Sequence, residues 1–458
     1  MMEQTLFYKA QTTGIMWDTW LYWYEDVYYL YYIVGRSEND AIYFTGIGMA
    51  TSADGVHWRE IGLVLEMADG VTMLGTGSVW AVPTHDGAPR FIMNFSEMRD
   101  NAQSIFFAES TDLLHWQRLG SEYEFRPDAS WYHTEGGWGS RWDCINTIER
   151  PDGGRYGYWT ANPQDFVGFG FGETDDGVTW RALPPPRIEW GEVEPLPSPG
   201  IEHGSVAEIG GRYYTMLGSG PPYGPYNCGM FAFVADDPAG SFRPAPVNFA
   251  LLTTPLGEMY TYFARFFPLN GELLVNHHAH GWNGVYFAPL KLAEVDDAGT
   301  LRFKWWPGNS AALQDWMVRT IAGTQLAEEI PYDPSSTILL EATVRIPAHP
   351  QDEQPELRVS CGSDQQAARF LMGPRGVVNI ELVEPDGSAH WSEQVDRSLA
   401  LSGMVALRVL IMHYFVELYL DDYLIQCYAL RAKPAGRLTI SGTVEHVEFR
   451  EVGGSTTL

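Results

Sequence analysis

Carboxylates are abundant in this chain, with 58 aspartates and glutamates against 29 lysines and arginines, and three of them stand at related places. Asp18 sits in "GIMWDTW", Asp143 in "RWDC" and Glu202 in "IEHGSV"; they precede the tyrosines Tyr28, Tyr156 and Tyr213 by 10, 13 and 11 residues. Carboxyl groups that converge on one point suit cleavage of an acetal. One, kept protonated, donates to the leaving oxygen, while another, ionised, attacks the anomeric carbon or activates water. A third that reaches neither atom can hold hydroxyls and stabilise developing positive charge. The bland alternative is that the three coordinate a cation or pair with Arg141.

Convergence requires a scaffold, and the chain carries a repeat that supplies one. "MATSADGVHWREIG", "FAESTDLLHWQRLG", "FGETDDGVTWRALP" and "FVADDPAGSFRPAP" place Trp58, Trp116, Trp180 and Phe242 at intervals of 58, 64 and 62, and Phe303 follows 61 residues on. Upstream strands marked by Tyr28, Phe91, Tyr156, Tyr213 and Leu273 recur at 63, 65, 57 and 60. A unit of about 60 residues of short strands and Gly, Asp and Pro turns, without helical periodicity, fits one four-stranded blade. Five copies predict an all-β chain with a five-bladed β-propeller over 1–310. Residues 311–334 then read as a linker, and 335–458, a series of strands from "TILLEATVRI" onward, as a β-sandwich.

In a propeller the innermost strands face a central channel, so the repeat phase selects among the acids. The matching places in blades two and five hold Ser78 and Tyr260. Asp100, in the motif-like pair Arg99-Asp100, falls on the loop side and is set aside. Asp54, Asp112 and Asp176 recur once per blade in D-G-x-x-W turns and read as structural.

Composition narrows the partners. Apolar residues make up 45% and aromatic residues 14%, including 17 Trp and 24 Tyr, and Gly and Pro are numerous. This is core material for two β domains and ring surface for stacking on sugars. A net charge of -29 argues against nucleic acid and anionic membranes. Four scattered cysteines, Cys144, Cys228, Cys361 and Cys427, suit neither a disulfide framework nor a zinc site. "MMEQTLFYKA" lacks the basic and apolar regions of a signal peptide, and no run of about 18 apolar residues occurs, so a cytoplasmic location is expected.

At these residues the sequence resembles glycoside hydrolase family 32, the invertases, levanases and inulinases, and more distantly the five-bladed families 68, 43 and 62. "GIMWDTW" resembles the family's W-M-N-D-P-N-G motif, "RWDC" its R-D-P and "IEHGSV" its E-C-P. "GTGSVWAV" looks like its S-G-S segment, "GEMYTYFARFF" like its F-Y-A-P-Q, and "HYFVELYLDDYLIQCYAL" like a hairpin of its C-terminal sandwich. The resemblance implies Asp18 as nucleophile, Asp143 as transition-state stabiliser and Glu202 as acid/base in a retaining hydrolysis of a furanosyl, most simply β-fructofuranosyl, glycoside. No cofactor is implied, and the partner is an oligosaccharide or small glycoside. The motifs depart from the family at Trp17, Thr19, Trp20, Trp142, His203 and Gly204, which leaves the sugar open.

A retaining pair stands about 5 to 5.5 Å apart, and a separation near about 8 Å would make the reaction inverting. Burial and neighbouring charge predict a raised pKa for Glu202, with Asp143 ionised beside Arg141. Trp17, Trp20, Trp80, Trp138 and Trp142 are candidate pocket walls, and His203, His278, Ser78, Tyr260 and Arg141 candidate sugar contacts. In "NHHAHG", His278 and His280 share one strand face and His277 the other, so a three-histidine metal site is not expected. Two alternatives stay open: another furanosidase of the five-bladed families, and a carbohydrate-binding propeller without hydrolysis.

Overall fold

The computed structural model describes residues 6–452 except 39–40, 84–86, 88, 136–139, 198–200, 220–227, 255–259, 282–283, 322–328, 363–365 and 431. Trp138 lies outside the described residues, and so does the side chain of Tyr260. The chain folds as a five-bladed β-propeller followed by a β-sandwich. Antiparallel meanders build the blades, beginning with the innermost strands Ile15–Tyr24, Ser78–Val82, Trp142–Glu149, Ile201–Ile209 and Tyr260–Leu269. Short Gly, Asp and Asn turns join them, as in the hairpin at Glu25 and Asp26, both at positive φ.

The repeated turns have a packing reason. Asp54 accepts the backbone N–H groups of Val56 and His57 at 2.9 and 2.8 Å, and Asp112 and Asp176 do the same in the next two blades. The aromatic that each turn presents packs on the preceding blade. Trp116 meets Tyr31, Trp180 meets Trp80 and Phe242 meets Phe169. Trp58 of blade one closes the ring by packing on Phe287 of blade five. Buried rings of this size each remove roughly 150–250 Å² from water, so the repeat period marks the inter-blade contacts. Tyr8 completes the closure by exchanging backbone hydrogen bonds with Phe287 at 3.0 and 2.8 Å.

Each innermost strand carries one extra residue at the same height. The register slips between Met16 and Thr19, Asp143 and Asn146, His203 and Ser205, and Tyr262 and Arg265. In blade two the pairing with Arg90–Arg99 breaks between Leu74 and Ser78, with the same one-residue excess. Such bulges re-aim side chains. The first paired residues beyond them, Thr19, Ser78, Asn146, Ser205 and Arg265, are therefore equivalent. Asp143 and Glu202 each stand three residues before this point, but Asp18 stands one before. The tyrosine markers sit in unequal register, so the count from them concealed the offset. Ser78 belongs to the post-bulge set, and the true counterpart of Asp143 in blade two is Gly75.

Blade five continues into the sandwich. Its outer strand Leu301–Trp305 meets Tyr423–Ala429, and one sheet runs on through Phe415–Leu420, Gly403–Met412, Thr337–Ile346 and Val444–Val452. The second sheet contains Pro434–Ser441, Glu356–Cys361, Gln366–Met372, Val378–Val383 and Ala389–Val395. Across the expected start of the linker, a 3-10 helix at Pro307–Asp315 leads to Met317–Ile321, which pairs with Val444–Val452; Ile330–Pro331 pairs with Pro434–Ser441. Both short strands add to open sheet edges. Among the described residues no helix is long and apolar enough to cross a membrane.

A buried polar cluster joins the two parts. Lys291 Nζ, in blade five, lies 2.7 Å from Glu417 Oε1 of the sandwich, both side chains 0% exposed. Tyr419 donates to Glu417 Oε2 at 2.5 Å, and His277 Nε2 lies 3.3 Å from Oε1. Burial alone would raise the Glu417 pKa, but Lys291 and His277 outweigh it and hold it at about 2. Lys291→Met strands a buried carboxylate and is expected to cost about 3–5 kcal/mol in urea unfolding at neutral pH. Glu417→Gln added to it should recover part of the loss, since an amide still pairs with Tyr419. In the wild type this contribution is present above the ordinary 4.5 and is lost as pH falls toward about 2.

Candidate active site

The bulges bring Asp18, Asp143 and Glu202 to one end of the channel, around Arg141. Arg141 Nη2 lies 3.1 Å from Asp143 Oδ2 and 2.9 Å from Glu202 Oε1. Burial works against the charge on Arg141, but Glu202 and Asp143 reverse that and hold its pKa above the usual range. The side chains of Asp18 and Glu202 keep 26% and 25% of their surface exposed, whereas Asp143 and Arg141 keep 8% and 7%. Two carboxylates are thus reachable by a ligand, and the third lies behind them with the arginine.

Asp18 is held from other directions. Thr76 donates to its Oδ2 at 2.6 Å, and His278 Nδ1 lies 3.6 Å from its Oδ1. Its pKa is pushed up to about 7, chiefly by burial and further by Glu202 and Asp143, with Thr76 and Arg141 pulling the other way. Asp143 is also raised by burial, against the pull of Arg141 and of Ser96, whose hydroxyl donates to Oδ1 at 2.6 Å. The guanidinium hydrogen-bonds Glu202 and Asp143, whereas Asp18 is met by the neutral donor Thr76 and by His278.

Several expected pocket residues lie elsewhere. Trp142, adjacent to Asp143 on a strand, points to the opposite face and is buried against Trp159, Phe125 and Tyr132. Trp20 stacks on Tyr31, and Trp80 donates to the Gly177 carbonyl at 3.0 Å; both lie beyond the bulge and line a cavity of about 590 Å³ with Trp23, Arg265, Phe266 and Asn276. His203 is fully buried, lies parallel to Tyr158 and is bonded to Asn146 and Thr215 at 3.3 and 3.0 Å. Burial, with help from Arg265, lowers its pKa to about 3. Ser78 donates to the Ile145 carbonyl at 2.5 Å and ties blade two to blade three. Trp17 remains beside Asp18, half-buried, with its edge toward His280. Asp100 is exposed in the hairpin turn, at positive φ.

Thr76, Ser96 and Gln103 were not singled out from the sequence. Gln103 Nε2 donates to Ser96 Oγ at 2.8 Å, which completes a line from Gln103 through Ser96 to Asp143. Gln103 also borders a cavity of about 600 Å³ with Arg99, Phe106, Arg126 and Ser140. Thr76 stands between Gly75 and Gly77, and Ser96 and Gln103 lie on strands, with no motif to mark any of them.

Among the described residues, two groups have ligand atoms spaced for a metal. Asp18, His278 and His280 lie within 4.8 Å of one another, as do His277, Glu417 and Cys427. The first set does not fit a cation, because the Thr19 N–H donates to His278 Nε2 at 2.9 Å and so leaves the ring proton on Nδ1, the nitrogen facing Asp18. In the second, both oxygens of Glu417 are already engaged by Lys291 and Tyr419.

No protein-family model matches the chain, and no curated protein matches it in sequence. Solved structures match it over nearly its whole length. The exo-inulinase of Aspergillus awamori superimposes with a TM-score of 0.67 at 13% identity, covering 99% of this chain and 98% of that one. The sucrose-6-phosphate hydrolase of Lactobacillus gasseri gives 0.72 at 13%, with 99% and 93% covered. The Bombyx mori family 32 β-fructofuranosidase gives 0.70 at 13%, with 98% and 94% covered. The chain has the propeller-plus-sandwich fold of these proteins.

A Cβ on Gly75 would overlap Ser96 Oγ and Asp143 Oδ1. Gly75→Ala should therefore break the Ser96 hydrogen bond and lower stability by about 1–3 kcal/mol in urea unfolding.

Proposed function

We propose that this protein is a glycosidase that cleaves a terminal furanosyl, most simply β-fructofuranosyl, residue from an oligosaccharide or small glycoside. The observation that carries the reading is the pair of reachable carboxylates, Asp18 and Glu202, set around a buried Arg141–Asp143 pair. The shared fold supports it. Related structures hold fructosylnystose in a Schwanniomyces occidentalis fructofuranosidase and 1-kestose in a Cichorium intybus fructan 1-exohydrolase.

In this reading Asp18 Oδ attacks the anomeric carbon as the bond to the leaving oxygen breaks, and Glu202 gives that oxygen its proton. Glu202, now ionised, takes a proton from water; the water oxygen displaces Asp18, and configuration is retained. Asp143, held by Ser96 and Arg141, steadies the positive charge that develops on the sugar ring. Trp17 is the aromatic that borders the sugar. Because it stands where the resembling family has asparagine, it supports a second reading in which the furanoside is not fructosyl. In this reading residues 1–310 are the catalytic unit and 335–458 its support, with the strands Met317–Ile321 and Ile330–Pro331 of the interval 311–334 joining the support. The buried free thiols Cys144, Cys361 and Cys427 fit a reducing, cytoplasmic setting.

Sucrose, inulin, levan, 1-kestose and nitrophenyl furanosides offered to the purified protein test the reaction. Turnover of at least one is expected, with NMR of the first-formed product giving the retained anomer. Asp18→Asn and Glu202→Gln should each lower kcat by about 10²–10⁴-fold. Undiminished turnover in Asp18→Asn would remove it as the nucleophile, and no turnover on any sugar would favour a binding propeller.

The pH dependence follows from Asp18. Below about 7 it carries a proton and cannot attack, so kcat/KM should fall with decreasing pH along an acidic limb centred near 7.

A further inference from the structure

His278 lies on the second strand of blade five, Glu272–Gly281, and its ring is enclosed between three elements. It packs at 5.4 Å on Phe263 of the blade-five bulge and at 5.7 Å on His280, and it is 0% exposed. On one side the backbone N–H of Thr19 donates to Nε2 at 2.9 Å, with Thr19 Oγ1 also at 2.9 Å. A backbone amide cannot accept, so Nε2 holds the lone pair and a neutral ring carries its proton on Nδ1. Burial, together with His280, Arg265 and His277, keeps the ring neutral. On the other side Nδ1 faces Asp18 Oδ1 at 3.6 Å.

Asp18 is therefore approached by donors from two blades. Thr76 of blade two already holds Oδ2 at 2.6 Å. The Nδ1–H of blade five stands 3.6 Å from Oδ1, longer than a hydrogen bond, and the attraction between them is greatest when Asp18 is ionised. The other titratable groups around Asp18 are Glu202, Asp143, Arg141 and His280, a ring nitrogen of which lies within 4.8 Å of the Asp18 carboxylate. Arg141 is engaged with the other two acids, and His278 is a second donor aimed at Asp18.

We propose that His278 is the positioning residue of Asp18: its Nδ1–H, fixed by the Thr19 amide, sets the rotation of the carboxylate and supports its ionised form, and it contacts neither sugar nor metal. The proposal rests on the assignment of Asp18 as nucleophile. It differs from the sequence-based expectation, which made His278 a sugar contact.

The test pairs two variants of similar size. In His278→Asn an amide nitrogen takes the place of Nδ1, whereas His278→Gln reaches only the place of Nε2. The acidic limb of kcat/KM should move up by about one pH unit in His278→Gln, with KM within about twofold, and stay near the wild-type position in His278→Asn. A limb unmoved in His278→Gln, or a raised KM at unchanged kcat, would overturn the proposal. Asp18→Asn, run alongside, separates the two claims: its full activity would sink the nucleophile assignment itself. If no sugar is turned over, carboxyl NMR titration of Asp18, assigned by loss of its signal in Asp18→Asn, reads the same shift without catalysis. Should His278→Gln not fold, ring ¹⁵N shifts of the wild-type protein decide: protonated Nδ1 with bare Nε2 supports the proposal, and the opposite tautomer overturns it.

Discussion

The candidate site depends on one buried guanidinium. Arg265 is 3% exposed and lies where the five bulged strands meet. It donates to the carbonyls of Gly77 in blade two and Thr19 in blade one at 2.7 and 3.3 Å, and to Asn146 Oδ1 and Cys144 Sγ in blade three at 2.8 and 3.3 Å. Asn146 passes the connection to His203 of blade four. A cation placed so deep needs several acceptors to replace its water, and here they come from three different blades. Any shift of one blade along the axis would leave a donor or an acceptor without its partner. The blades are thus indexed to one another at the level just below the carboxylates, which matters because those carboxylates come from three different blades.

Above this level the charges divide unevenly. One guanidinium serves two of the three acids, and which two is a consequence of strand register. Asp143 and Glu202 occupy equivalent places in neighbouring blades, three residues before the bulge is resolved, and Arg141 lies between them. Asp18 leaves its own strand two residues later and ends opposite Thr76 and His278, both neutral donors. Hydrogen bonds from neutral groups favour an ionised carboxylate less than a cation does. Burial raises the pKa of Asp18, and the offset leaves chiefly neutral donors to oppose it.

The repeat was legible in the sequence because its signal is a packing signal. Trp58, Trp116, Trp180 and Phe242 each fill the seam to the blade before, so large aromatics recur at blade spacing and the count of five follows. The three acids were legible as inward-facing groups, since a tolerance of a few residues in phase suffices to choose an end of the channel. Finer assignments failed where the bulge intervened. Strand alternation predicts which side chains share a face only up to the extra residue, and Trp20, Trp80 and Ser78 lie beyond it. Thr76, Ser96, Gln103 and Arg265 left no recognisable mark, because a lone neutral or basic residue on a strand looks the same whether it holds a carboxylate or faces solvent. His203 appeared functional through its position beside Glu202, and that same adjacency turns it to the opposite face.

The strand Glu272–Gly281 explains how a sandwich distant from the channel can bear on the site. Neighbouring side chains on a strand point to opposite faces, so His277 and His278 look in opposite directions. His277 meets Glu417, which Lys291 and Tyr419 hold in the seam between blade five and the sandwich; His278 meets Thr19 and Asp18. Arg397 adds a second tie, donating to the carbonyls of Ala250 and Leu251 in blade four and to that of Ile425 in the sandwich. A buried ion pair is a poor source of net stability, but its partners tolerate little displacement, since either charge left alone in the seam is strongly unfavourable. The sandwich therefore fixes the strand that carries His278, and through that ring and the Thr19 amide it fixes the place of Asp18. On this argument the sandwich is part of the support of the carboxylate cluster, although none of its described residues is among those that surround the three acids.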